Sequence, residues 1–178
     1  MAESSNGYPV LDDDFSGPHP RLRAFTLPGI NRVLQLRDGS CGFLLVHLVL
    51  WFDEEVERID VGGQDDWGYA VRRISGSTLY SNHASGTAVD LNATQHPMGT
   101  LTRATFSYKE IVRIHNRLKM YSGCLRWGGD YRTRPDAMHF ELDKALASVV
   151  AKAQELVTTP RGRRICDANP GLKKIIMS

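Results

Sequence analysis

Two histidines and several carboxylates stand at spacings that could build a metal site. The run SNHASGTAVD sets His83 seven residues before Asp90, with almost only small side chains between them. If residues 87–92 are extended, Thr87, Val89 and Leu91 face one way and Ala88, Asp90 and Asn92 the other, which gives Asp90 a small neighbour. Ala84, Ser85 and Gly86 add little bulk, and glycine adds free dihedrals, so the chain can bring His83 back beside Asp90. A second imidazole lies in MHFEL, where Met138, Phe140 and Leu142 alternate with His139 and Glu141 as on a strand with one apolar and one polar face. Two histidines and one carboxylate, with a fourth position left for water, are a usual set for catalytic zinc. Hydrolysis also needs a carboxylate near the metal as general base, and Asp136, in a turn three residues before His139, is available for that post. Spacing alone leaves a bland alternative, a loop histidine and a capping aspartate.

The elements that must position these residues are short and mixed. Residues 1–40 are rich in Pro, Gly and Asp and read as an extended arm with short ordered pieces. Ser40 is placed to cap a helix through Leu44, Leu45, Leu48 and Trp51. VERIDV at 56–61 alternates as a strand would, and GGQDDWG reads as a loop. Ser107 and Glu110 form a capping box, with Phe106 and Ile111 as a hydrophobic staple. The helix they start carries Ile111, Ile114, Leu118 and Tyr121 on one face, and Gly123 stops it. A helix over about 143–157 should turn Leu146, Val149, Val150, Ala153 and Leu156 inward. Thr159 and Pro160 have Ncap and N1 chemistry for a short last helix, ended by Asn169-Pro170-Gly171. Short strands among non-alternating helices predict an α+β fold.

Composition narrows the function classes. A chain of 178 residues can bury one core without staples, and a net charge of +2 gives no reason to propose a nucleic-acid partner. Asp12, Asp13 and Asp14 make the start acidic, while Arg161, Arg163, Arg164, Lys173 and Lys174 make the end basic, a solvated face in the first instance. Cys41, Cys124 and Cys166 are too widely spaced for a zinc knuckle and read as free thiols. The apolar run 42–52 has 11 residues against the roughly 20 of a membrane helix, which makes it core and His47 a core histidine. MAESSNGYPVLDDD shows no basic region followed by an apolar one, so no signal peptide is expected. His115 reads as an ordinary helix residue, His96 as a loop histidine, and His19, between two prolines, as weaker still.

The motifs SxHxxGxAxD (81–90), WGGD (127–130) and DxMHFE (136–141) together resemble the zinc peptidases of bacterial cell-wall metabolism. That family includes D-alanyl-D-alanine carboxypeptidases, the dipeptidases of vancomycin resistance and the L-alanyl-D-glutamate endopeptidases of many phage lysins. The resemblance runs from about Asp66 to Leu142, under half the chain. It implies a small antiparallel sheet carrying one zinc ion and flanked by helices, the D-Ala-D-Ala metallopeptidase or Hedgehog-like fold. It also implies that His83, Asp90 and His139 bind the zinc and that Asp136 is the general base. Arg72 falls where the family places an arginine that contacts substrate and oxyanion, with Arg73 as the lesser choice. Ser81 and Trp127 are expected at the substrate cleft, a core tryptophan being the alternative for Trp127. Glu141 is placed to orient a ligand, or else is a plain surface carboxylate.

The expected organisation is an N-terminal arm over 1–40 packing on the domain, a catalytic domain over 41–158 and a basic C-terminal helix or tail over 159–178. The resemblance points to a monomeric phage endolysin peptidase, made in the host cytoplasm and acting on the peptidoglycan stem peptide at the wall, without membrane insertion. Its rivals are a D-alanyl-D-alanine carboxypeptidase and a non-catalytic wall-binding module that keeps a zinc site.

Overall fold

The computed structural model describes residues 2–11, 20–74 and 76–178; Asp12 to Asp14 and His19 lie outside them. In chain order the elements are β1 (Leu22–Thr26), β2 (Val33–Arg37), α1 (Ser40–Glu55), β3 (Ala88–Asp90), α2 (Thr102–Thr105), α3 (Tyr108–Lys119), β4 (Leu125–Trp127), β5 (His139–Leu142), α4 (Leu146–Leu156), α5 (Pro160–Ala168) and α6 (Leu172–Met177). The fold is α+β, with small antiparallel sheets flanked by helices.

The centre is α1. Residues 40–53 are all buried, so this helix is apolar on every side and is wrapped rather than laid on a surface. It packs against α4 and α5 and against strands of both sheets. Its start differs from expectation. Gly39, at φ 78°, is the Ncap and Ser40 the first helical residue; no side chain caps the end, although Asp38 Oδ1 accepts the Gly39 N–H at 2.7 Å. His47 lies in the core, 2.9 Å from the Tyr121 hydroxyl.

Residues 22–37, read as part of an arm, form the antiparallel hairpin β1–β2, with Leu22, Phe25, Leu34 and Leu36 buried. Proline and glycine there mark the turn between two alternating strands. VERIDV is not a strand. The chain turns after α1, Ile59 alone is fully buried, and its N–H is taken by Asp53 Oδ1 at 3.0 Å rather than by a neighbouring strand. Alternation without a partner to supply a ladder does not make a strand.

The second sheet has the order β3-β5-β4. β4 was not read from the sequence because three residues are too few for a period. The capping box of α3 is present, with both the Ser107 and Glu110 bonds made. Ile114 and Tyr121 are buried, and Ile111 and Leu118 pack at the core edge. Helix α4 begins at Leu146, and Leu146 is 53% exposed rather than inward, because a helix end overhangs the core it covers. Thr159 caps α5 through the Gly162 N–H (3.1 Å), and a further helix, α6, follows Gly171. The three cysteines are free. Among the described residues no helix is long and apolar enough to cross a membrane.

Candidate metal centre and active site

His83, Asp90 and His139 meet in the second sheet. Asp90 and His139 are direct cross-strand partners of β3 and β5, so both side chains leave the same face. His83 arrives from a 3-10 turn over Asn82–Ser85, whose Ncap is Ser81. Gly86 ends that turn at φ 65°, and a Cβ there would meet the Arg37 backbone nitrogen at 2.5 Å. The first sheet supports the loop directly: the Arg37 N–H donates to Gly86 O at 2.9 Å and its Nε to Ser85 O at 3.1 Å.

The ligand atoms are close and share one chemical property. His83 Nε2 lies 3.1 Å from Asp90 Oδ1 and 3.2 Å from His139 Nδ1, and His139 Nδ1 lies 2.8 Å from Asp90 Oδ1. His83 Nδ1 donates to Gly68 O at 2.5 Å, and His139 Nε2 donates to Glu141 Oε2 at 3.0 Å. Each imidazole therefore spends its N–H away from the cluster and turns a lone pair toward it. Three lone-pair atoms in a buried space repel unless a cation or proton sits among them. Donors about 2.0–2.2 Å from a tetrahedral ion stand roughly 3.3–3.6 Å apart, close to the spacing found. The residues fit a divalent metal with nitrogen and oxygen ligands.

Charge is distributed accordingly. Burial alone would raise the Asp90 carboxyl, yet the two imidazoles hold it well below the usual carboxylate range. Burial alone would lower His139, but its bonds to Asp90 and Glu141 push it up to about 10. Glu141 also resists burial and falls to about 2, held by His139, Tyr131 and Arg126. Its Oε1 accepts from Arg126 Nε (2.7 Å) and the Tyr131 hydroxyl (2.5 Å), and its Oε2 accepts from Asn82 Nδ2 as well as from His139. Glu141 is thus a buried partner of His139, not a surface carboxylate.

A cleft of about 510 Å³ opens beside the cluster and is lined by His83, His139, Asp136, Arg72, Ser81 and Arg134, among others. Asp136 Oδ1 is buried and makes no hydrogen bond. Burial raises its carboxyl above the ordinary value; His139 opposes the rise and the charge on Asp90 adds to it. Gly128, the first glycine of the WGGD motif, allows this turn. Its carbonyl accepts the Asp136 N–H at 2.9 Å, and a Cβ on it would stand 2.5 Å from Asp136 O and 3.1 Å from His139 Cβ.

Arg72 Nη2 reaches Asp90 Oδ2 at 3.3 Å, leaving its half-exposed side chain at the cleft. Arg73 also lines the cleft, but it donates to Thr78 O and lies over the Tyr80 ring at 4.6 Å, away from the ligands. Trp127 does not line the cleft. It is 1% exposed, stacked on Phe140, and its indole N–H donates to Ala137 O at 2.7 Å. Its place on the apolar face of β4 turns it into the core, where it pins the turn between Asp136 and His139. His96 is a loop histidine as expected, and it is buried, stacked on Phe106 and bonded to Glu57 at 2.7 Å. His115 sits on the surface of α3, paired with Asp130. Asn82, Gly68, Arg126 and Tyr131 were missed; Gly68 holds His83 and the other three hold Glu141, across sequence separations of 10 to 59 residues that no local pattern reports.

Residues 75–142 match the family model described as D-alanyl-D-alanine carboxypeptidase. The matched segment contains His83, Asp90, Asp136 and His139, and together with the donor set it supports a metallopeptidase acting on cell-wall peptides. No curated protein and no solved structure matches the chain.

Proposed function

We propose that this protein is a zinc-dependent peptidoglycan peptidase, and within that class an L-alanyl-D-glutamate endopeptidase of the phage endolysin type. The observation that carries the hydrolase reading is the convergence of three lone-pair donors beside a buried, unbonded carboxylate in one cleft. Zinc held by His83 Nε2, Asp90 Oδ1 and His139 Nδ1 would polarise the scissile carbonyl and acidify a water. Asp136, with a free oxygen and a raised pKa, takes the proton of that water and returns one to the leaving amine. Arg72 aims positive charge at the oxyanion that develops on the carbonyl.

The endopeptidase reading rests on how the cleft ends. A second recess of about 340 Å³, lined by Trp67, Tyr69 and Met138, shares Arg72 and His83 with the first. Two recesses that meet at Arg72 and His83 support a substrate that extends beyond the scissile bond in both directions. A D-alanyl-D-alanine carboxypeptidase is the second reading, favoured by the description of the matched family. It would need a group for a free carboxylate. Arg134, exposed in the wider recess with no ion-pair partner among the described residues, has that chemistry.

Digestion of purified peptidoglycan with and without a chelator, with mass spectrometry of the new termini, separates the two. New L-alanine carboxyl ends are expected, and free D-alanine would establish the carboxypeptidase instead. Muropeptides left unchanged in the presence of zinc would overturn both. In this reading the enzyme is a monomer made in the host cytoplasm that acts at the wall.

A further inference from the structure

The residues 2–11, which lie outside the matched segment, close over the metal-site loop rather than trailing from it. Ser4 pairs with Tyr80, and the Leu11 N–H donates to Ala84 O at 2.9 Å. Ser4 Oγ bonds Ser85 Oγ at 2.8 Å. Asn6 Nδ2 donates both to Thr87 Oγ1 and to Leu142 O, each at 2.9 Å, and so ties the loop of His83 to the strand of His139.

At the middle of this contact is Asn82, 3% exposed. Its Oδ1 accepts from the Ser5 hydroxyl at 2.8 Å and from the Asn6 backbone N–H at 2.9 Å. A backbone N–H can only donate, so the amide orientation is determined: oxygen toward residues 5 and 6, nitrogen toward the site. That nitrogen donates to Glu141 Oε2, the same oxygen that accepts from His139 Nε2. A continuous run of hydrogen bonds thus links Ser5 and Asn6 to a candidate ligand through Asn82 and Glu141.

We propose that Asn82 is a positioning residue for the metal site and that Ser5 and Asn6 set its amide, so that residues 2–11 are a working part of the centre. The inference rests on the metal-site reading above. Groups that hydrogen-bond a ligand directly, as Glu141 does His139, affect metal affinity by about 10- to 100-fold when lost, and Asn82 acts through that group. A purely structural clamp would instead alter folding and leave the ligands as they were.

The test measures zinc affinity by competition with a chromophoric chelator, together with the visible spectrum of the cobalt-substituted protein. Asn82→Ala is expected to weaken zinc binding by up to about 10-fold, the lower end of that range, and to change the cobalt spectrum. Ser5→Ala should give a smaller loss in the same direction, and Ser5→Thr, which keeps the hydroxyl, should restore affinity. If Asn82→Ala does not fold, the Ser5 pair decides: an Ala loss with Thr rescue supports the proposal. Wild-type affinity in folded Asn82→Ala, or in Ser5→Ala, overturns it. Because the readout is zinc and not turnover, a wild-type protein that binds zinc and leaves peptidoglycan intact overturns only the hydrolase reading. A wild-type protein that binds no zinc overturns the metal site and this proposal together.

Discussion

Asp90 and His139 face each other across β3 and β5, and Asp90 Oδ1 stands 2.8 Å from His139 Nδ1. The pairing register of two short strands places two candidate ligands, and the only loop needed to complete the set is the one carrying His83.

The donor set at that meeting point fits a metal. Removing bound zinc with a chelator is expected to abolish hydrolysis and lower the melting temperature; at 100 times the dissociation constant, zinc adds about 2.7 kcal/mol. His139→Ala and Asp90→Ala should lose the metal. Thermal unfolding and elemental analysis check both, and unchanged zinc content in either variant would remove that residue from the ligand set.

Asp136 and Arg72 should separate chemistry from binding. Asp136→Ala is expected to keep zinc and lose turnover by about 10²- to 10⁴-fold, the range for a general base. Arg72→Ala should also keep zinc and lose about 10²- to 10³-fold in kcat, as removal of an oxyanion donor does. Steady-state kinetics beside metal content tests this, and full activity in either variant contradicts its assigned role.

Gly86 and Gly128 are among the glycines held against neighbouring backbone. Gly86→Val introduces a Cβ at a left-handed φ and 2.5 Å from Arg37 N, so the His83 loop must move. Zinc affinity should fall although no ligand is altered. Gly128→Ala pushes on Asp136 O and should lower kcat more than zinc content. Titration with zinc and single-turnover kinetics distinguish the two effects.

His47 makes the core sensitive to acid. Burial, with the charges of Arg117 and Arg161, lowers its pKa to about 3. Below about pH 6.5 the unfolded chain takes up a proton that the folded state refuses, so stability falls as pH falls, by up to about 1.4 kcal/mol per unit. Between pH 7.5 and 5 the wild type should lose about 2 kcal/mol more than His47→Gln. Urea unfolding at the two pH values measures the difference, and equal losses would contradict it.

How much of this was readable before the structure varies by element. The capping box at Ser107 and the alternation of MHFEL were legible because the interactions they report lie within a few residues. VERIDV alternates as well, but among the described residues no strand pairs with it. The hairpin over 22–37 was obscured by proline and glycine that belong to its own turn. Trp127, expected at the cleft, faces the core because it pairs with Phe140 on the face of β5 opposite His139, a register that the three residues of β4 do not encode locally.

The sequence by itself determined the chemical inventory: His83, Asp90, Asp136 and His139, small residues where the chain must turn tightly, and a class of hydrolysis. Tertiary structure alone decided the rest. It brought Arg72 within reach of Asp90, buried Glu141 against His139, and set Ser5 and Asn6 onto Asn82. The reason is separation along the chain. Asn6 and Leu142 are 136 residues apart, and their contact exists only once both sheets and α1 have packed.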